Sequence, residues 1–218
     1  MSLRHFLFDF DGTLVDSAPL HAMAFRKALA IAAPESLTEF EYESLKGLST
    51  RTAFLRMGIA PDARLERCVA EKQKSYRDAV RSGGVKEFPG ARSLLNAILA
   101  DGGTNYLVTS GSPESVNLLL DELKLGFFFS GIITAADVSA GKPDAEPYLV
   151  CLQRFELRLD ETVAIEDAPS GASSAKAAGL RVIGVHNPGV ARLSDYYFPT
   201  LSALDAALRK RVERLLLR

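Results

Sequence analysis

The chain has 218 residues, of which 47% are hydrophobic and 24% are charged, and its formal net charge is −1. This mixture is typical of a globular protein with one large domain or two modest ones. A net charge so close to zero gives no long-range attraction for nucleic acid or for an anionic membrane, so we expect neither as a partner.

The N-terminal residues and the cysteines indicate in which cellular compartment the protein is expected. The start of the chain lacks the basic and apolar regions of a signal peptide, and no apolar run approaches the ~18 residues of a membrane-spanning helix. Cys68 and Cys151 show no metal-ligand spacing and make no disulfide framework, so we expect two buried free thiols. We therefore expect a cytoplasmic protein that is a monomer by default.

Residues 6–13 begin as an apolar run and continue through two carboxylates, Asp9 and Asp11, into a turn. Side chains alternate along a strand, so Asp9 and Asp11 are expected on one side and the phenylalanines at positions 6, 8 and 10 on the other. Two like charges beside an apolar strand repel each other and lose solvation, which a hard cation such as Mg²⁺ relieves. Gly12 supplies backbone freedom, and Thr13 offers a hydroxyl and an amide to a bound anion.

Between about residues 17 and 84 the sequence pattern is helical, and no strand is predicted. Ser17 is a candidate N-cap, and Pro19 suits the first turn of a helix whose apolar residues recur at helical spacing. Further helices are predicted over residues 38–45, 52–57 and 63–81. The pattern therefore predicts a helical insertion directly after the first strand.

After this insertion, helices and apolar strands alternate. The predicted helices are residues 91–99, 114–123, 147–154, 173–178 and 201–217, and the predicted strands are residues 106–109, 131–134, 162–165 and 181–185. Such alternation is typical of a parallel sheet covered on both faces, so we expect an α/β, Rossmann-like fold. We expect two domains: a core of residues 1–16 and 87–218, and an all-helical cap of residues 17–86.

Reactive side chains follow several predicted strands, where ligands bind in sheets of this kind. Taken singly, each could cap a helix, lie in a turn or be solvated. Together they predict a site of carboxylates, a hydroxyl and an ammonium group. Its members are Asp9 and Asp11 after the first strand, residues 109–111 after the second, Lys142 after the third, and Glu166 and Asp167 after the fourth.

The motifs over residues 9–17 and 165–171 resemble those of the haloacid dehalogenase superfamily. Thr109 after the second strand and Lys142, which is followed by proline, fit the same pattern. The helical insertion resembles the small cap of the subgroup that includes β-phosphoglucomutase and sugar-phosphate phosphatases. The resemblance spans nearly the whole chain and implies phosphoryl transfer.

In this resemblance Asp9 is the nucleophile that forms an aspartyl phosphate, and Asp11 protonates the leaving alkoxide and later activates water. Lys142 orients the nucleophile and the transferring oxygens, and Thr109 binds equatorial oxygens. The full set of phosphate-binding groups that the resemblance implies is Asp9, Gly12, Thr13, Thr109, Ser110, Gly111 and Lys142.

The resemblance also implies Mg²⁺ as cofactor, because a dianionic phosphate repels a carboxylate nucleophile. Its implied ligands are Asp9, the backbone carbonyl of Asp11, and Asp167, with Glu166 nearby. The branch of the superfamily that attacks carbon needs no metal, and the paired acids argue against that chemistry here.

Four residues of the expected cap are candidate readers of the leaving group: His21, Lys46, Arg51 and Lys72. His21 falls where β-phosphoglucomutase-like proteins carry a cap histidine, but a plain helix-surface histidine is an equal alternative. Lys72 could instead lie on a solvated helix face. Thr50 occupies the slot where the mutase pattern has arginine, one residue before Arg51, which counts against a second phosphate site.

The function expected from these residues is a Mg²⁺-dependent phosphatase of a small phosphorylated metabolite, such as a sugar or polyol phosphate. A β-phosphoglucomutase-like isomerase is the first alternative, in which a sugar hydroxyl replaces water as the phosphoryl acceptor. A non-catalytic phosphate-binding regulatory module is the second. The lysine loop departs from the usual pattern, with Ala145 and Glu146 where proline and aspartate are common.

Overall fold

The structure is a computed structural model that describes residues 3–210. Its strands, in chain order, are β1 (His5–Phe8), β2 (Val15–Asp16), β3 (Lys86–Glu87), β4 (Thr104–Val108), β5 (Phe129–Ile133), β6 (Thr162–Glu166), β7 (Arg181–Val185) and β8 (Tyr196–Phe198). Its α-helices are α1 (Ala18–Ala32), α2 (Thr50–Arg56), α3 (Ala63–Arg81), α4 (Ala91–Ala100), α5 (Pro113–Leu123), α6 (Glu146–Arg154), α7 (Pro169–Ala177) and α8 (Leu201–Arg209).

Six strands form one parallel sheet in the order β5-β4-β1-β6-β7-β8. The predicted α/β class with helices around a parallel sheet is confirmed. The short edge strand β8 was absent from the sequence expectation, because its three residues give too little alternation to mark a strand.

The central strand β1 sets the position of the site. Phe8 is in register with Leu107 on β4 and with Ile165 on β6, so the residues that follow all three strands lie at one edge. The phenylalanines at 6, 8 and 10 share one hydrophobic cluster, whereas Leu7 belongs to the cluster on the opposite face. The predicted phenylalanine face of the strand is therefore confirmed, and so are the two buried free cysteines.

The helices between β2 and β3 have a hydrophobic cluster of their own, which includes Phe25, Phe54 and Leu65. β2 and β3 pair antiparallel where the chain leaves the sheet and returns to it. This arrangement is compatible with a cap, although the domain boundaries stay a prediction. Within residues 3–210, none of the helices is both long and apolar enough for a membrane span.

Two local predictions differ from the structure, and a third falls partly outside the described residues. The helix predicted over residues 38–45 is wrong: only a 3₁₀ turn, Tyr42–Leu45, forms there, because Phe40 and Leu45 bury against α1 and α2 from an irregular backbone. Ser17 precedes α1, but its hydroxyl donates to Asp11 instead of capping the helix. The predicted last helix is described only to Arg209, and its end from residue 211 lies outside the described residues.

Candidate active site

Three carboxylates meet at the edge where β1 and β6 end. Asp9 follows β1, Glu166 is the last residue of β6, and Asp167 comes next. Each offers an oxygen that lies within 4.8 Å of the other two. All three side chains are buried, so their charges repel at short range with little help from water.

The ammonium group of Lys142 lies inside this cluster and is 1% exposed. Its Nζ donates to Asp9 Oδ1 at 2.7 Å, to Glu166 Oε1 at 2.5 Å and to the carbonyl of Val108 at 2.9 Å. These three contacts use all three ammonium protons. Burial lowers the pKa of Lys142, but Asp9 and Glu166 outweigh it, so the pKa lies above its ordinary value and the lysine is charged.

The cluster still holds more negative than positive charge, and its titration reflects this. Burial raises the pKa of Asp9 well above its ordinary value, and Glu166 and Asp167 add to the rise against the opposing charge of Lys142. Burial and the charge of Glu166 raise the pKa of Asp167 to about 7. One further positive charge at this point would stabilise all three acids in their ionised form.

The donor set fits a hard divalent cation, since carboxylate oxygens are the ligands such ions prefer. Glu166 Oε2 is buried and, among the atoms the structure describes, has no hydrogen-bond partner. Gly12 has φ +94°, and a Cβ there would lie 2.3 Å from Asp167 Oδ2, so the glycine leaves the carboxylate its space. Thr13 donates its hydroxyl to Asp167 Oδ1 at 3.2 Å.

The second aspartate of the first motif faces the helices instead of the acid cluster. Asp11 Oδ1 accepts hydrogen bonds from Ser17 at 2.5 Å and from Tyr76 at 3.1 Å, and His21 Nε2 lies 3.1 Å from the same oxygen. Burial raises the pKa of Asp11, but His21 and then Ser17 more than offset it, so the pKa falls below its ordinary value. The Asp11 carboxylate is therefore ionised.

A buried lysine stands behind the histidine. Lys72 Nζ lies 2.7 Å from His21 Nδ1 and is within 4.9 Å of the ring centroids of Phe25 and Tyr76. Burial lowers the pKa of Lys72 to about 8. Burial, followed by the charge of Lys72, also lowers the pKa of His21, so the ring is neutral, donates to Asp11 and accepts from the lysine.

A cavity of about 60 Å³ connects the acids to the helical segment. Of the four predicted cap residues, His21, Lys46 and Lys72 line it. Arg51 does not: its guanidinium is exposed and pairs with Glu66 at 2.6 Å. The core residues that line the cavity are Asp9, Asp11, Gly12, Thr109, Ser110, Gly111, Ser112, Ser115, Val116, Leu119 and Asp167.

Two core hydroxyls hold the loop that carries Lys46. Ser110 donates to the carbonyl of Gly47 at 2.8 Å, and Ser170 donates to the carbonyl of Lys46 at 3.0 Å. Thr109 Oγ1 accepts from the backbone N–H of Gly111 at 3.1 Å, which orders the loop after β4. The loop over Lys46 and Gly47 is thereby held against the segments that follow β4 and β6.

Sequence reasoning missed three tyrosines of the site. Tyr42 lines the cavity, Tyr76 donates to Asp11, and Tyr148 donates its hydroxyl to Glu166 Oε1 at 2.5 Å. Tyr76 could have been found, because it lies four residues after Lys72 on α3 and so shares its helix face. Tyr42 and Tyr148 carry no local signal that separates them from core aromatics.

Comparison with known proteins identifies the family to which the chain belongs. The sequence profile described as haloacid dehalogenase-like hydrolase matches residues 6–185. Hexitol phosphatase A of Escherichia coli (strain K12) is 33% identical over 195 residues, which are 86% of this chain and 85% of that protein. Phosphoglycolate phosphatase of Pseudomonas putida is 30% identical over 191 residues, which are 84% of this chain and 69% of that protein.

A solved structure supports the fold independently. β-Phosphoglucomutase from Clostridium difficile superposes with a TM-score of 0.84 at 22% identity, over 99% of this chain and 100% of that chain. The strand order, the acid cluster and the profile match agree with one another. The chain is a hydrolytic enzyme and belongs to the haloacid dehalogenase-like hydrolase family.

Proposed function

We propose that the protein is a Mg²⁺-dependent phosphatase of small phosphomonoesters that works through an aspartyl phosphate on Asp9. The observation that carries the proposal is the contact of Asp9 with Lys142 inside a buried acid cluster, with Asp11 lining the same cavity. The named phosphatases among its relatives make the chain a phosphoric monoester hydrolase by type. A cytoplasmic location and a monomeric state stay predictions.

In the first half-reaction an Asp9 oxygen attacks phosphorus, and the bond from phosphorus to the leaving oxygen breaks. Asp11 gives the leaving oxygen its proton. In the second half-reaction Asp11 takes a proton from water, whose oxygen attacks phosphorus and releases Asp9. The donors around Asp11 favour its carboxylate form, so they prepare it for the second role and must rearrange for the first.

Lys142 holds Asp9 in place and offsets charge on the transferring group. Thr109, Ser110 and the backbone amides around Gly12 and Gly111 line the phosphate end of the cavity in this proposal. Asp9 and Asp167 would hold Mg²⁺ together with the Asp11 carbonyl, and Glu166 lies beside them. When bound, the ion supplies positive charge that lets a dianionic phosphate approach a carboxylate.

We assign residues 17–86 the role of a cap that closes on the substrate. The cavity is small, which suits a small phosphomonoester, and the relatives named hexitol phosphatase and phosphoglycolate phosphatase support that class of substrate. His21, Lys46 and Lys72 line the cavity, and we assign them contact with the leaving group. A sugar or polyol phosphate is the substrate class we favour.

The phosphomutase alternative is weaker. A mutase must bind a second phosphate, and the arginine nearest the expected slot, Arg51, does not line the cavity and pairs with Glu66. The likeness to β-phosphoglucomutase supports the fold alone at 22% identity.

The test is a phosphate-release screen of the purified protein with Mg²⁺ over sugar, polyol and two-carbon acid phosphates. Release of inorganic phosphate that EDTA abolishes and Mg²⁺ restores is the expected result. A glucose 1-phosphate anomer separates the alternatives, because a mutase yields glucose 6-phosphate without free phosphate. The absence of both phosphate release from every member of the panel and formation of glucose 6-phosphate would favour the non-catalytic module.

A further inference from the structure

The Tyr148 hydroxyl contacts the acid cluster, although Tyr148 does not line the cavity. Tyr148 is on α6, is completely buried and donates to Glu166 Oε1 at 2.5 Å. The same oxygen accepts from Lys142 Nζ at 2.5 Å, and the tyrosine ring centroid lies 5.3 Å from that Nζ. Tyr148 therefore contacts both residues that surround the nucleophile without lining the cavity.

Glu166 is held differently at its two oxygens. Oε1 accepts from both Tyr148 and Lys142, whereas Oε2 has no partner among the described atoms. Gly171 packs against the whole carboxylate group, because a Cβ at Gly171 would lie 2.1 Å from Oε2 and 2.2 Å from both Cδ and Oε1. The carboxylate is thus held by the donors at Oε1 and by close packing of Gly171 against the group.

The orientation of Glu166 determines the orientation of the lysine. The three protons of Lys142 are divided among Asp9, Glu166 and the carbonyl of Val108, so none is spare. If Glu166 turned away, the Lys142 ammonium group would either move with it or lose one contact. In both cases the hydrogen bond from Lys142 to Asp9 would change its geometry. Small displacements of this kind are costly when the reacting atoms must be aligned.

We propose that Tyr148 is a positioning residue for phosphoryl transfer, whose hydroxyl fixes Glu166 and, through it, the Lys142 ammonium group on Asp9. The inference rests on the proposed function and adds to it a residue that touches neither substrate nor nucleophile. It assigns the hydroxyl, and not the ring, as the group that matters for the rate.

Tyr148→Phe tests this directly, because it removes the hydroxyl and keeps the ring beneath Lys142. We expect kcat for phosphate release to fall about 10- to 100-fold, with KM for the phosphomonoester within about two-fold of wild type. Tyr106→Phe is the matched control: Tyr106 is a buried tyrosine on β4, and its variant should keep the wild-type kcat. A purely structural role would lower the unfolding temperature of Tyr148→Phe and leave kcat of the folded enzyme unchanged.

Glu166→Asp breaks the same hydrogen bond from its other end, since the carboxylate is withdrawn by one methylene group while Tyr148 stays. Because it also withdraws the carboxylate from Lys142, we expect a fall in kcat at least as large as in Tyr148→Phe, and this variant serves as the test if Tyr148→Phe does not fold. When both variants fold, the double variant should have the kcat of Glu166→Asp alone, because the tyrosine hydroxyl acts only through the carboxylate that is already displaced.

Two results would count against the proposal in different ways. If the wild-type enzyme releases phosphate and Tyr148→Phe matches its kcat, the positioning role is wrong and the proposed function stands. If the wild type and Tyr106→Phe both fail to release phosphate, the proposed function fails, and this inference fails with it.

Discussion

Lys142 Nζ lies 2.7 Å from Asp9 Oδ1, although the two residues are 133 positions apart in the chain. Both are buried, and the lysine is shared with Glu166 at 2.5 Å. Removing either partner should therefore destabilise the fold, because the remaining buried charge has lost its hydration without compensation. The contact joins the loop before α6 to the end of β1. Both the stability of the fold and the proposed chemistry therefore depend on it.

Lys142→Met should therefore destabilise the protein as well as inactivate it. It leaves Asp9 and Glu166 without their ammonium partner, which costs about 3–5 kcal/mol of unfolding free energy at neutral pH. Urea denaturation measures the loss, and saturating Mg²⁺ should recover part of it by restoring positive charge. Lys74→Met is the control, because its exposed pair with Asp78 is worth less than about 1 kcal/mol. Equal stability of the two variants would contradict the account.

Lys72 is expected to show the opposite effect on stability. Its pKa is lowered by burial from 10.5 to about 8, so folding favours loss of its proton and the charged form costs about 3 kcal/mol. For a base with a lowered pKa the cost is fully present below pH 8 and fades as pH rises to about 10.5.

Lys72→Met should accordingly be more stable than wild type at pH 7 by about 1–3 kcal/mol, after the lost contact with His21 is allowed for. The gain should shrink between pH 8 and 10.5, which thermal unfolding across that range would reveal. In Lys74→Met, where an exposed lysine on the same helix is replaced, no such pH-dependent gain is expected. A Lys72→Met protein that is less stable than wild type at pH 7 would contradict this prediction, because it would show that the contacts of the buried lysine outweigh the cost of burying its charge.

Gly47 is a point of close contact between the helical segment and the core. It has φ +77°, and a Cβ there would lie 2.3 Å from Ser170 Oγ. Gly47→Ala should displace the loop, break the contact of Ser110 with the Gly47 carbonyl, and lower kcat/KM about ten-fold or more. Gly58→Ala meets no atom within 4 Å at φ +82°, so it shares the backbone strain without the clash. Steady-state kinetics of the pair should show a loss in the first variant only.

Much of the sheet could be predicted from the sequence, and the reason is its simple periodicity. The apolar run before Asp9 and the runs before Thr109 and Glu166 marked β1, β4 and β6, and parallel pairing then brought their ends together. Lys142 could be assigned to the same edge because it follows β5 in the chain.

What the sequence could not predict depends on long-range packing. The hydrogen bond from Tyr148 to Glu166 depends on how α6 packs relative to β6, and the spacing of residues along the chain does not reveal that packing. The irregular stretch that ends in Tyr42–Leu45 has a helical pattern, but tertiary burial of Phe40 overrides that weak propensity. Arg51 looked like a substrate reader by position alone, and only the structure places it in a surface ion pair with Glu66.

The central claim is that Asp9 accepts the phosphoryl group, and the most direct measurement is mass spectrometry of enzyme quenched in acid during turnover. With Mg²⁺ and a substrate from the screen, we expect one phosphoryl group on the peptide that contains Asp9. Asp9→Asn should fold, carry no phosphoryl group and lose at least about 1,000-fold in kcat. Wild-type turnover in Asp9→Asn, or a phosphoryl group on any other residue, would contradict the account.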